Sequence, residues 1–219
     1  MEIKKLANNA LNFSINRFIE IVAIGIVIIG LLLLVSLLSF SPEDPNFIFP
    51  ESTKIKNLLG FQGSFTADLF FQSFGLISLL IPFSLILTGI NIFINKKLFL
   101  IIESFFYTIL YSIFASLFFS FFYPNAFELY INGNGGFIGR YLEASFFNSI
   151  ITLNIKFSYY FLISIVLILF LISVQFKIIF FNRSIKQLFN FLFKKTQKNY
   201  TNQNEIINEF IPQEEIKSL

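Results

Sequence analysis

Residues 21–40 run from Ile21 through Leu31-Leu32-Leu33-Leu34 to Phe40 without one charged side chain. A helix of that length covers about 30 Å at 1.5 Å per residue, the thickness of a bilayer's hydrocarbon core. A soluble core helix needs only an apolar stripe, so apolar character all round points to lipid. Three further stretches share the property: about 69–94, about 98–122 with Glu103 as its one carboxylate, and about 157–176. The expected fold is therefore an all-α membrane protein with four transmembrane helices. Composition agrees, since 55% apolar and 13% charged residues with a mean hydropathy of +0.74 lie far outside the soluble class.

Residues 1–18 carry Lys4, Lys5 and Arg17 and enter the first run without a glycine or proline break. They are expected to form a short cytoplasmic helix at the membrane interface, followed by a four-helix domain over 19–180. Ser39-Phe40-Ser41-Pro42-Glu43-Asp44 offers no small-x-small cleavage site, so the first run is expected to be a retained anchor. Pro82 should kink the second span, because proline removes one helical hydrogen bond and crowds the preceding turn. Asn95-Lys96-Lys97 leaves room for only a tight hairpin between spans two and three. Residues 144–155 are apolar but short, and are expected to be interfacial or re-entrant.

Lysine and arginine near span ends are retained in the cytoplasm, so their placement sets orientation. Twelve of the 16 positive residues fall before span one, at Lys96-Lys97, or between Lys177 and Lys217. The two other loops hold only Lys54, Lys56, Arg140 and Lys156. Both ends are thus expected inside, with two extracytoplasmic loops in which Glu43, Asp44, Glu51 and Asp68 face the periplasm. Residues 181–219 read as a basic juxtamembrane segment, suited to anionic lipid, and then the start of a cytoplasmic linker.

Catalysis is a poor fit. The chain has no Cys and no His, which removes thiolate chemistry, the commonest metal ligand and the commonest general base. No G-x-x-x-x-G-K-[ST] run is present, so no nucleotide loop, cofactor or metal site is expected. Glu103, as an intramembrane carboxylate, is a candidate functional group, although Lys97 stands close enough to pair with it. Gln72 and Asn91 are expected to join helices by hydrogen bonds.

An internal repeat suggests itself. Gly60-Phe61-Gln62-Gly63-Ser64-Phe65 leads through Phe70-Phe71 into span two, and Gly136-Phe137-Ile138-Gly139-Arg140-Tyr141 leads through Phe146-Phe147 toward span four. Each half would comprise a helix, an outer loop, a G-x-x-G turn and a return helix. The repeat and Glu103 together motivate one alternative, a stand-alone carrier or channel subunit, but the spans hold few polar groups for a pathway.

These same residues resemble a known family. Leu37-Leu38-Ser39-Phe40-Ser41-Pro42-Glu43-Asp44-Pro45-Asn46-Phe47 is similar to the exit from the first helix in the N-terminal four-helix membrane domain of the FtsK/SpoIIIE DNA translocases. The run from Gly60 and Gly63 through Ala67-Asp68 and the aromatics to Gly75, followed by Pro82, is similar to that domain's glycine turn and second helix. Gly136 and Gly139 before the last span make a third, shorter likeness. The motif residues are therefore Ser41, Pro42, Asp44, Pro45, Gly60, Gly63, Ala67, Asp68, Gly75, Pro82, Gly136 and Gly139. The resemblance implies a multi-pass domain of the bacterial inner membrane, anchoring a chromosome-segregation motor at the division septum. It implies as partners the lipid bilayer, further copies of itself and other division proteins, with DNA reached only through a motor domain. The motor and its nucleotide loop do not occur in these residues, so a fragment of a longer protein, a stand-alone relic or a split gene is expected.

Overall fold

The computed structural model describes residues 2–45, 54–124 and 132–175. Among them the chain is all-helical without a strand, and four segments are long and apolar enough to cross a bilayer. The first is α1 (Glu2–Leu38). The second is α2 (Gly60–Phe74), a 3-10 segment (Gly75–Leu80) and α3 (Ile81–Asn95) in succession. The third and fourth are α4 (Phe99–Phe122) and α7 (Ile155–Ser173), separated by the short α5 (Gly136–Glu143) and α6 (Phe147–Leu153). The segment expected to be a basic linker over 181–219 lies outside the described residues.

Two expectations change. The helix expected over 1–18 is not a separate interfacial element but the first half of α1, which continues without a break into the apolar run. At 1.5 Å per residue α1 is about 55 Å long, so it must project beyond the hydrocarbon or tilt within it. The interruption expected at Pro82 lies instead at Gly75, whose φ of 72° and ψ of −145° end α2. Pro82 occupies the first turn of α3, where its missing N–H would have no helical partner in any case. It starts a helix rather than kinking one.

Lipid tails are as apolar as leucine, so helices in a membrane associate through close packing and hydrogen bonds rather than through the hydrophobic effect. The α1/α3 pair uses glycine. A Cβ on Gly89 would come within 2.8 Å of the Ala23 carbonyl oxygen, and one on Gly30 within 2.8 Å of Ile86. The α4 contacts use hydroxyls. Ser104, Thr108, Ser112, Ser116 and Ser120 recur every fourth residue along α4, and all are buried. Thr108 shares a hydrogen bond with Ser173 of α7 at 2.7 Å, Ser104 with Thr88 of α3, and Ser116 donates to the Phe74 carbonyl at 2.9 Å. The neighbouring Tyr111 hydroxyl meets Ser84 at 2.9 Å. Asn91 donates to the Val174 carbonyl at 2.9 Å, tying α3 to the end of α7.

The helices form an open array. α1 packs on α2 and α3, α3 on α4, and α4 on α7, while the backbone of α1 comes close to neither α4 nor α7. One end of the array, the loop end, carries residues 39–45, 54–59, 123–124 and 132–136; the other, the hairpin end, carries the Asn95-Lys96-Lys97 turn. Lys96 there adopts a left-handed conformation with φ of 54° and closes α3.

This packing predicts an asymmetry between two glycines. Gly89→Leu should destabilise the fold in detergent by about 2 kcal/mol through overpacking. Gly25→Leu, at a position with no atom within 4 Å of an added Cβ, should leave the unfolding midpoint unchanged.

Candidate functional site

The motif residues gather at the loop end in two hydrogen-bonded knots. In the first, Ser41-Pro42-Glu43-Asp44 forms a turn closed by the Asp44 N–H on the Ser41 carbonyl at 3.1 Å, with proline at its second position. The turn aims the Asp44 carboxylate inward, where it is 4% exposed. Its two oxygens accept the Lys56 and Asn57 backbone N–H groups, each at 2.8 Å. Asn57 uses every polar group it has. Its side-chain amide donates to the Ser36 carbonyl at 2.9 Å, its side-chain oxygen accepts the Leu59 N–H at 3.0 Å, and its carbonyl accepts the Gly60 N–H at 2.9 Å. Ser36 donates to the Gly63 carbonyl at 2.6 Å and Ser64 to the Pro45 carbonyl at 2.9 Å. Gly63 has no side chain because Asn57 occupies the space. Ala67, fully buried, completes the contact with Leu33, Leu37, Phe71 and Ile81.

The second knot joins Gly75 to the residues ahead of α5. The Leu76 N–H, released where α2 ends, donates to the Asn134 carbonyl at 2.9 Å. A Cβ on Gly75 would overlap that carbonyl, and one on Gly139 would overlap the Ser116 carbonyl of α4. Asn134 is fully buried and donates through its side chain to the Tyr123 carbonyl at 2.5 Å. Asn132 donates to the Gln72 side-chain oxygen at 3.0 Å, and Ser120 donates to the Glu143 carboxylate. Gly60 and Gly136 each open a helix at positive φ, 66° and 63°.

Several expectations about charge are corrected here. Asp44 and Asp68 do not face open solvent: they are 4% and 5% exposed, and Asp44 is consumed by backbone donors. Glu43 is exposed and pairs with the Lys56 ammonium, which holds the carboxyl below its ordinary range and the ammonium above its own. Any stabilisation from Glu43 is present above its ordinary value and is lost as the pH falls through the lowered one. Glu51 lies outside the described residues. At the hairpin end the carboxylate that pairs with the turn is not Glu103 but Glu20, which accepts from Lys96 at 2.6 Å and from Arg17 at 2.6 Å. Glu103 is half-buried.

The geometry is that of a clamp. Its carboxylates and amides accept and donate to backbone groups, and among the described residues no three His, Cys, Asp or Glu side chains gather to hold a metal. Sequence reasoning missed Asn57, Asn134 and Glu20. An asparagine just ahead of a helix, accepting from the N–H two residues on, is the signal for Asn57.

Asp44→Ala strands the buried Asn57 N–H and the part-buried Lys56 N–H and should cost about 3 kcal/mol of unfolding free energy in detergent. Glu43→Gln, which removes the exposed pair with Lys56, should leave the same unfolding curve at pH 7 unchanged.

Comparison with known proteins covers the same residues. The model of the family described as the 4TM region of DNA translocase FtsK/SpoIIIE matches residues 16–186, which take in the first membrane-length segment from Asn16 onward and the other three whole. Among curated proteins the chain is similar to DNA translocase FtsK of Rickettsia prowazekii (strain Madrid E), 33% identical over 82 residues, or 36% of this chain and 11% of that protein. It is also similar to DNA translocase FtsK of Rickettsia bellii (strain RML369-C), 32% identical over 87 residues, 38% of this chain and 12% of that protein. The matched segments thus span about a tenth of these relatives. No solved structure matches. With three membrane-length apolar segments and most of a fourth inside the matched range, this multi-pass membrane chain belongs to the family of the 4TM region of DNA translocase FtsK/SpoIIIE.

Proposed function

We propose that this chain is the non-catalytic anchor and assembly domain of a cell-division DNA translocase, tethering a chromosome-segregation motor to the inner membrane at the septum. The observation that carries it is the family match over residues 16–186, which coincides with the helical array and its two loop knots. Hydroxyls and amides in the spans are spent on one another or on backbone, as in a scaffold rather than a solute path. Other division proteins and further copies of the chain are its proposed partners, DNA is reached only through a motor, and no cofactor is needed from these residues.

The proposed orientation has both ends in the cytoplasm, because Lys96-Lys97 and the residues from Lys177 carry the positive charge. The clamped loop end then faces the periplasm. The two G-x-x-G helix starts support an ancestral two-helix repeat, each half folding its outer loop back on the array.

The test is depletion of the protein in its own cell together with imaging of a fluorescent fusion. The expected result is fluorescence concentrated at the septum, and failure of septation and chromosome partition on depletion. Uniform envelope fluorescence with normal partition, and loss of uptake of a defined solute, would overturn the reading.

A further inference from the structure

α1 and α4 both pack against α3 without close backbone approach to each other, which leaves between them a groove of about 390 Å³ that Phe70 and Phe74 of α2 also line. Leu85 and Thr88 form its floor, Ile26 one wall, and Ile101, Phe105 and Ile109 the other. That volume lies in the range of small-molecule sites. The chemistry of the groove is one-sided. The hydroxyls that border it are already committed: Thr88 to Ser104, Thr108 to Ser173, and Ser112 to the Thr108 carbonyl. No donor is left to orient a polar ligand, so what remains is a slot for hydrocarbon, set between membrane-length helices.

At the hairpin end the slot meets charge. Ile26 and Ile101 pass from its walls into the apolar cluster of Ile19, Ala23 and Ile92, next in sequence to Glu20 and one turn from Lys96. Glu20 is a single carboxylate shared by two cations, Arg17 and Lys96. Lys97, exposed, stands one turn before Ile101. Two positive charges therefore go unbalanced on this side of the array among the described residues. Glu103 does not offset them there, because it lies about 200° of helix rotation from Ile101, on the opposite face of α4.

We propose that the α1/α3/α4 groove binds an anionic phospholipid, one acyl chain lying in the slot and the phosphate at Arg17, Lys96 and Lys97. The inference rests on the membrane character of the chain and not on its role at the septum. Basic groups at a membrane surface attract anionic lipid, and two unbalanced cations favour it over a zwitterionic lipid by about thirtyfold.

The test uses the full chain in phosphatidylcholine vesicles doped equally with acyl-diazirine phosphatidylglycerol or acyl-diazirine phosphatidylcholine, with adducts mapped by mass spectrometry. The expected result is phosphatidylglycerol adducts concentrated on Ile26, Leu85, Ile101, Phe105 and Ile109, about thirtyfold above the zwitterionic probe. Lys97→Gln should lower that excess about fivefold. Ile109→Trp, which fills the slot and keeps every charge, should abolish the adducts while the helical signal stays intact. Equal labelling by the two probes would overturn the proposal, as would adducts as dense on α7 as in the groove. So would adducts that persist in Ile109→Trp.

Discussion

Everything in this chain follows from the cost of leaving a backbone N–H or carbonyl without a partner in hydrocarbon, several kcal/mol for each group. Helices meet that demand over the spans, and the difficulty moves to the places where helices stop. The chain stops α2 at Gly75, inside a membrane-length segment, and the Leu76 N–H released there is taken by the Asn134 carbonyl from the far half of the molecule. Residues 54–59 return into the loop end, where the Lys56 and Asn57 N–H groups are taken by the Asp44 carboxylate, that of Leu58 by the Ser39 hydroxyl and that of Leu59 by the Asn57 side chain. The two knots are solutions to one problem of satisfaction, which explains why the motif residues are glycines and small polar groups rather than catalytic ones.

The same demand explains what the sequence displayed and what it hid. Four spans are legible because lipid requires long charge-free runs, and the tight Lys96-Lys97 turn follows from their spacing. Pro82 was legible as a special residue but not as a helix start, since proline is equally at home in a kink and a first turn; Gly75 decides the matter through a tertiary contact absent from any local pattern. Glu20 lies one residue outside the charge-free run beginning at Ile21, and its partner Lys96 stands 76 residues away, so no local pattern pairs them. The every-fourth-residue hydroxyls of α4 were present as a pattern, but within a Phe-rich run their common face appears only once α3 and α7 pack on it.

Function was legible to the extent that motifs were. Ser41-Pro42-Glu43-Asp44-Pro45 and the glycine turn carried the family resemblance, and the family match over residues 16–186 covers them both. Their physical work was not legible, because it consists of contacts between segments that sequence keeps apart: Ser36 with Gly63, Pro45 with Ser64, Gly75 with Asn134. An acidic surface inferred from Asp44 and Asp68 proved to be an interior, which moves attention from the charge of the outer loops to their rigidity.

The central claim is that the segment from Gly60 to Asn95 crosses the membrane despite its break, so that the loop end and the hairpin end lie on opposite faces. The chain has no native cysteine, so single cysteines at exposed Leu58 and at Asn95 give unique probes. A membrane-impermeant maleimide added to intact spheroplasts should label position 58 at once and position 95 only after the membrane is opened. Labelling of both positions from the same side would contradict the account.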